Sequence, residues 1–166
     1  MYEINPGILG ENPFKIIGED WMLVTAGTIE AYNTMTASWG GMGVLWDKNV
    51  VFVFVRPQRY TYRFAEKSDY FTLSFFEEEY RKVLRFCGTH SGRDVDKIEK
   101  TGLIPFTTGR GGVAFRQARL VMECRKLYAG NLLPGDFLDT ALEKKIYPQK
   151  DHHRLYIAEI TSCLMM

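Results

Sequence analysis

The sequence has little cysteine, and its three cysteines are not arranged for cross-linking. Cys87, Cys124 and Cys163 are far apart and odd in number, which argues against a disulfide framework and is typical of a reducing compartment. No Cys-x-x-Cys or Cys/His spacing suits a metal ion. The only neighbouring histidines, His152 and His153, are adjacent rather than one helical turn apart. The sequence therefore predicts neither a disulfide scaffold nor a metal site.

An excess of charge of one sign is also lacking, since 21 Lys and Arg residues oppose 20 Asp and Glu residues. The protein therefore offers no broad electrostatic attraction for duplex nucleic acid or an anionic membrane. The longest strongly apolar run, residues 50–55, is far too short to cross a bilayer. The first residues do not combine a basic segment with an apolar run, as a signal peptide would. We therefore expect a cytoplasmic protein with no membrane or nucleic-acid partner.

The length of 166 residues and a hydrophobic content of 46% predict one ordered globular domain over residues 1–166. Within it, residues 31–43 (AYNTMTASWGGMG) form the most unusual stretch. It begins with the alternation of a strand, but its small, hydroxyl-rich side chains make a poor core layer. They leave backbone N–H and C=O groups reachable, and the following glycines would let a flat ligand approach. The same residues also suit an edge strand that ends in a glycine-rich turn.

The rest of the chain predicts short, mostly antiparallel strands with a few helices. Residues 50–55 (VVFVFV) are apolar at every position, so both faces of this strand need cover from helices or another subunit. Further strands are predicted at residues 21–28, 70–76, 113–115, 120–128 and 155–163, with a hairpin turn at 107–112. Helices are predicted at residues 61–68 with Thr61 as cap, 77–87, 94–101 with a Ser91–Asp94 capping box, and 137–146. We expect a mainly β, closed or partly closed barrel of six or seven strands with peripheral helices.

Two loops have the residues of an anion site. Arg56 and Arg59 flank the helix start at Thr61, and Ser91 opens a second helix with Lys97 one turn on. Free N–H groups at a helix start, with a guanidinium nearby, suit a phosphate. Simple helix capping explains either loop equally well.

Two further side chains, Cys87 and His90, are of types that can carry chemistry. Cys87 at a helix end could be a reactive thiol, but its place on the apolar helix face favours a buried structural cysteine. His90 lies in a Gly-Thr-His-Ser loop and is typical of a solvated residue rather than a base. No nucleophile–base–acid set is evident in the sequence.

Four motifs follow one another along the chain, between residues 33 and 160. They are residues 33–39 (NTMTASW), 50–61 (VVFVFVRPQRYT), 91–97 (SGRDVDK) and 154–160 (RLYIAEI), the last with Ala158 where glycine is common. In this order they resemble the flavin reductase-like FMN-binding split barrels, and among them the flavoredoxin-type branch. The resemblance implies a six-stranded antiparallel Greek-key split barrel, a homodimer, and FMN bound near the subunit interface.

The resemblance also implies where FMN would lie. The strand residues are expected along the isoalloxazine ring: Asn33, Thr34, Met35, Thr36, Ala37 and Ser38. The phosphate is expected at Arg59, Tyr60 and Thr61, beside Arg56, with Ser91 and Lys97 near it or on the adjoining wall.

One departure from the family concerns nicotinamide. Many of these reductases carry a Gly-Asp-His stretch in a late loop, and its histidine helps to seat nicotinamide. The nearest match in this chain is Gly135-Asp136-Phe137. His152 or His153 could substitute, although spacing alone does not decide this.

Three functions follow as hypotheses. The first is an FMN-dependent oxidoreductase that takes electrons from NAD(P)H or a partner protein. The second is a non-enzymatic FMN electron carrier, the flavoredoxin role, without a nicotinamide site of its own. The third is a barrel that binds single-stranded nucleic acid through Trp39, Arg59 and Tyr60, which the near-neutral charge disfavours.

Overall fold

Ten strands and five α-helices form in the computed structural model, which describes all residues 1–166. The strands are β1 (Tyr2–Glu3), β2 (Met22–Thr28), β3 (Ala31–Ala37), β4 (Gly40–Leu45), β5 (Lys48–Val55), β6 (Tyr70–Phe75), β7 (Pro105–Thr107), β8 (Val113–Phe115), β9 (Leu120–Asn131) and β10 (Arg154–Met165). The helices are α1 (Pro13–Gly18), α2 (Tyr60–Lys67), α3 (Arg81–Thr89), α4 (Lys97–Thr101) and α5 (Thr140–Ile146). None of these helices combines the length and apolar character needed to cross a membrane.

Eight of the strands form one antiparallel sheet in the order β3-β2-β6-β9-β10-β5-β4, with β1 added along β10. The remaining two strands, β7 and β8, form a separate hairpin. The expected mainly β, antiparallel architecture with peripheral helices is confirmed. The expected six strands and the closed barrel are wrong, because the sheet has eight strands and its end strands β3 and β4 are not paired.

The additional strand β4 and the unpaired edge of β3 have physical causes. The glycine-rich residues 40–45 do not turn away from the sheet but pair with β5 in register, Gly40 opposite Val53. Only Ser38 and Trp39 separate β3 from β4, so the sheet curls until its two ends approach. The free edge of β3 is occupied by side-chain and helix groups instead of a strand.

Two local predictions of helix capping are wrong. Helix α2 begins at Tyr60 and has no side-chain cap, so Thr61 lies inside the helix rather than capping it. Helix α4 begins only at Lys97, where Asp96 Oδ1 accepts hydrogen bonds from the backbone of the first turn. The Ser91 hydroxyl accepts from the N–H of Arg93 in the preceding turn instead. Asp96 offers its carboxylate directly at the helix start, which a box centred on Ser91 cannot do.

The main core lies on the concave side of the sheet. Along β5, Val51, Val53 and Val55 are fully buried, while Phe52 and Phe54 on the other face are only partly covered. Val50, at the start of the same outer face, is fully buried. The outer face of β5 therefore remains partly open in the single chain only around Phe52 and Phe54.

A buried carboxylate fixes the turn between β7 and β8. Glu123 is 1% exposed and accepts hydrogen bonds from the N–H groups of Arg110 and Gly112 and from the Thr108 hydroxyl. Gly112 is required here, because a Cβ would stand 2.9 Å from the Thr108 hydroxyl and 3.1 Å from the carboxylate. Glu123 therefore satisfies backbone donors that the sheets themselves leave unpaired.

We expect Glu123→Ala to lower the free energy of unfolding by about 3 kcal/mol, because it leaves buried donors without an acceptor. Glu123→Gln keeps one acceptor oxygen and should cost about 1 kcal/mol. Urea unfolding followed by circular dichroism measures both. Glu79→Ala removes an exposed carboxylate and is the matched control. An Ala variant at 123 no less stable than this control would contradict the assigned role.

Candidate functional site

The carboxyl end of α3 is held by two cations from other parts of the chain. Lys97 Nζ donates to the carbonyl of Cys87 and to the carbonyl of Thr34 on the free edge of β3, both at 2.8 Å. Arg59 Nη1 donates to the next carbonyl, that of Gly88, at 2.9 Å. Carbonyl groups at a helix end carry partial negative charge, so cations stabilise them. These bonds bring β3, α3 and the start of α2 together.

Lys97 is one of the few buried charged side chains, at 5% exposed. Burial lowers the pKa of its amine to about 8, and the nearby Arg59 acts in the same direction. The thiol of Cys87 has its pKa raised to about 11 by burial, so it stays protonated. Cys87 is therefore a structural core residue, as the apolar helix face indicated, and not an activated nucleophile.

Arg59 has an unsatisfied group. Its Nη2 is buried and has no hydrogen-bond partner in the chain. Burial and the neighbouring Arg56 both lower the pKa of this guanidinium. A buried cation with a free donor is costly unless an anion accepts from it. The arrangement therefore has the electrostatics of an anion site.

Two backbone donors lie beside this guanidinium. The N–H groups of Tyr60 and Thr61, in the first turn of α2, have no acceptor within the chain, and the helix has no side-chain cap. The hydroxyl of Thr61 instead accepts from Asn33 Nδ2 at 2.7 Å, which joins α2 to β3. Free N–H groups at a helix start, together with a guanidinium, are the usual surroundings of a bound phosphate.

These donors line a cavity of about 150 Å³, which we call the Arg59 cavity. Its other wall is the turn from Gly88 to Arg93. Gly92 packs so closely that a Cβ would lie 1.9 Å from Asn33 Oδ1, so no other residue fits there without moving the turn. Arg93 lies over the ring of Tyr60 at 5.1 Å.

A second cavity of about 210 Å³, which we call the Trp39 cavity, shares Met35 and Arg59 with the first. Its walls include three aromatic rings, with Trp39 from the β3–β4 link, Phe54 from β5 and His153 from the residues before β10. The ring of His153 lies 5.6 Å from that of Trp39. Such a slot suits a flat ring system.

The largest opening, about 510 Å³, lies outside these two and is less suited to an anion. We call it the outer cleft. Glu30, Asp94 and Asp96 line it together with Arg93 and Lys97, so three carboxylates face two cations there. The Arg59 cavity has no acidic residue in its lining, and this difference in charge, rather than the size of the opening, distinguishes it.

The structure brings eleven of the twelve residues predicted for the site to these two cavities. The Trp39 cavity is lined by Met35, Thr36, Ala37, Ser38, Arg56 and Arg59, and the Arg59 cavity by Asn33, Met35, Arg59, Tyr60, Thr61, Ser91 and Lys97. Thr34 lines only the outer cleft. Their role in binding a flavin stays a prediction.

Several predicted side chains have protein partners of their own. The Thr34 hydroxyl bonds with that of Thr25 at 2.8 Å, and the Thr36 hydroxyl donates to the carbonyl of Leu84. Arg56 is paired with Asp151. Ser38, by contrast, makes no side-chain hydrogen bond in the chain. The side chains of Thr34, Thr36 and Arg56 therefore support the walls of the site and do not offer a free donor to a ligand.

The sequence did not identify Phe54 or the turn residues 88–90 as cavity walls. Phe54 belonged to a strand apolar at every position, which conceals which face meets a ligand. For His152 and His153 the structure separates the two, since His153 lines the Trp39 cavity and His152 Nε2 is bonded to Glu143 at 2.7 Å. The only signal in the sequence was the position of His153 directly before β10.

We expect the burial of Lys97 to be visible in the pH dependence of stability. The pKa of the Lys97 amine is 10.5 in the unfolded chain and about 8 in the folded chain. Between these two pH values, unfolding therefore takes up a proton. The free energy of unfolding contributed by this group therefore rises with pH in that window. The stability of the wild type relative to Lys97→Met should increase from pH 8 to pH 10.5 in urea titrations. Lys100→Met, on the same helix but exposed, is the control; a difference independent of pH would contradict the shifted pKa.

Solved structures with the same fold are known. The FMN-binding protein from Thermus thermophilus with bound p-hydroxybenzaldehyde superposes with a TM-score of 0.69 at 21% identity, over 98% of this chain and 78% of that chain. Flavoredoxin from Methanosarcina acetivorans gives 0.67 at 19% identity, over 100% and 75%. The NADH:FAD oxidoreductase SgcE6 from Streptomyces globisporus, in complex with NAD and FAD fragments, gives 0.66 at 17% identity, over 89% and 74%.

A comparison with curated protein sequences gives no match. Residues 16–165, however, match the model of a protein family described as the flavin reductase like domain. The match covers nearly the whole chain and includes every residue of the two cavities. The chain therefore belongs to the flavin reductase like domain family.

Proposed function

We propose that the chain binds FMN in the two joined cavities and acts as an FMN-dependent oxidoreductase. The observation that carries the proposal is the buried, unpartnered Nη2 of Arg59, which lies where the two cavities meet. A phosphate in the Arg59 cavity would accept from this group and from the free N–H groups of Tyr60 and Thr61. The Trp39 cavity, with its three aromatic walls, would then receive the flat ring.

The residues that line the two cavities suit FMN in their chemistry as well as in their positions. The Arg59 cavity offers donors and positive charge, and the Trp39 cavity offers aromatic walls and the backbone of β3. Ser38, directly after β3, keeps its hydroxyl free to bond the polar edge of a ring. Bound flavin supplies the redox chemistry, and the protein positions it and tunes its potential.

The charged residues of the outer cleft, next to the proposed position of the phosphate, favour FMN over FAD. The outer cleft, which adjoins the Arg59 cavity through Asn33 and Gly92, carries the carboxylates of Glu30, Asp94 and Asp96. A second phosphate extending towards it would meet these three carboxylates against Arg93 and Lys97, and the amine of Lys97 already donates to two carbonyls. Structural relatives described as FMN-binding and as flavoredoxin support the same cofactor, although an NADH:FAD oxidoreductase shares the fold.

The electron donor distinguishes two versions of this function. A ring bound in the Trp39 cavity would be flanked by Trp39 and His153, and these side chains favour a small, flat donor such as NAD(P)H beside it. A carrier that exchanges electrons only with a partner protein would not need them. Anaerobic stopped-flow mixing of the FMN-loaded protein with NADH or NADPH separates the two, because only the reductase bleaches the flavin absorbance directly.

Arg59→Ala should weaken FMN binding far more than riboflavin binding, because it removes a charge-assisted contact to the phosphate. We expect the affinity for FMN to fall about tenfold to a hundredfold and that for riboflavin to change much less. Titration of the apoprotein with each flavin, followed by quenching of flavin fluorescence, measures the ratio. Arg63→Ala removes an exposed arginine from the same helix and is the matched control. Equal losses for the two flavins would place Arg59 away from the phosphate.

We also propose that the chain is a homodimer. The outer face of β5 is only partly covered, and the adjoining β4, the turn after it and α1 expose Val44 at 73%, Trp46 at 55% and Phe14 at 86%. Large apolar side chains exposed to this extent are typical of an interface between subunits.

Light scattering should therefore give twice the 19.2 kDa mass of one chain at micromolar concentration. Phe14→Glu should shift the mass towards the monomer, because it places a charge in the contact. Ile104→Glu, at a 52% exposed site on a different part of the surface, is the control and should leave the dimer intact. A monomeric mass for the wild type would refute the proposal.

A further inference from the structure

The first half of the free edge of β3 is uncovered. The β2–β3 turn closes at the pair Thr28 and Ala31, and from there the backbone groups of β3 point alternately towards β2 and away from it. Those of Tyr32 and Thr34 point away. Lys97 Nζ donates to the Thr34 carbonyl at 2.8 Å, but the N–H of Thr34 and both backbone groups of Tyr32 have no partner in the chain. Such bare groups at a sheet edge are a template for a further strand.

This bare edge faces the outer cleft, the opening of about 510 Å³. Tyr32 stands on the strand side of the cleft, and Asp96 and Ile98 stand on the other. Burial raises the pKa of the Tyr32 phenol, and the charge of Asp96 adds to this effect, so the two sides lie close together. The volume is within the range of about 300–1,000 Å³ that is typical of binding pockets. The cleft therefore has room for a short stretch of peptide beside β3.

The cleft also carries more negative than positive charge. Its three carboxylates, from Glu30, Asp94 and Asp96, form no ion pair within the chain. Its two cations are directed at backbone carbonyls, since Lys97 donates to two of them and Arg93 donates to one at 3.3 Å. A cationic group that enters the cleft would therefore meet carboxylates that no charged group of the chain already pairs.

We propose that the outer cleft docks an extended, basic segment of a partner protein, which adds to the edge of β3 as a short strand. One residue of the segment would exchange both backbone hydrogen bonds with Tyr32, and another would accept from the N–H of Thr34. Lysine or arginine side chains of the segment would meet the three carboxylates. The bond of Lys97 to the Thr34 carbonyl limits the pairing to this short stretch.

Charged side chains near a sheet edge can also keep other strands away. Asp94 and Asp96, however, do not belong to β3 but precede α4 on the other side of the cleft. In that position they would flank an added strand instead of repelling its backbone. The bare edge, the cleft and the unpaired carboxylates together therefore favour a basic peptide as the occupant.

Three peptides of about five residues test the docking on the full chain, with and without FMN. The first alternates lysine and valine, the second has glutamate in place of lysine, and the third is the lysine peptide methylated on every backbone nitrogen. We expect fluorescence anisotropy to show the first peptide bound about tenfold more tightly than either of the others. The second lacks the matching charge, and the third keeps the charge but cannot donate backbone hydrogen bonds.

Hydrogen exchange of the backbone amides gives a second readout, which needs no variant. The N–H groups of Tyr32 and Thr34 should exchange rapidly in the free chain and about tenfold more slowly with the first peptide bound. The N–H of Asn33 points towards β2, where Asn33 is paired with Ala26, and it is the internal control. Unchanged exchange at Tyr32 with the peptide bound would refute strand addition.

Replacing two of the carboxylates tests the charge. Glu30→Gln combined with Asp94→Asn should weaken binding of the first peptide about tenfold. Glu79→Gln removes an exposed carboxylate elsewhere on the surface and should leave that binding unchanged.

The proposal would be overturned if the first peptide did not bind, or if its methylated form bound equally well. A change of mass in light scattering for the double variant would also overturn it, because that result would assign the cleft to a second copy of the chain. The flavin titrations play no part in these outcomes, so a failure of FMN binding would leave the docking proposal standing.

Discussion

The site depends on how the carboxyl end of α3 is satisfied. Two consecutive carbonyls there, those of Cys87 and Gly88, receive Lys97 and Arg59 from separate parts of the chain. Because the same ammonium also binds Thr34 on β3, one buried charge ties a helix end to the open edge of the sheet. The cost of burying it is offset by the partial charges of the carbonyls. Without these bonds nothing would keep the two cavities side by side.

The same constraint explains why Arg59 is available to a ligand. A guanidinium has five donors in a fixed plane, and the bond of Nη1 to Gly88 sets the plane while leaving Nη2 free. The free N–H groups of Tyr60 and Thr61 follow from the absence of a side-chain cap on α2. An anion site thus arises from donors that the fold orients but does not use.

The curled sheet supplies the other half of the site. Because only Ser38 and Trp39 link the two end strands, the indole stands where the ends of the sheet approach. Phe54, on the outer face of β5, and His153, just before β10, reach the same place. The segment between β9 and β10 holds this histidine in place, since the Tyr147 hydroxyl lies 2.7 Å from His153 Nδ1.

The sequence by itself determined the mainly β class and the strands at residues 21–28 and 31–38, because alternation and turn residues are local properties. It also indicated that a flat ligand could approach residues 31–38. It also placed Arg59, Ser91 and Lys97 in loops suited to an anion. It did not determine the sheet of eight strands, since the glycines of residues 40–43 read locally as a turn and become a strand only through pairing with β5. Nor could it tell that Asp96 rather than Ser91 caps α4, that Thr61 bonds Asn33 instead of capping α2, or that His153 rather than His152 meets the cavity. Those outcomes depend on which distant donor meets which acceptor, and only the tertiary structure decides that.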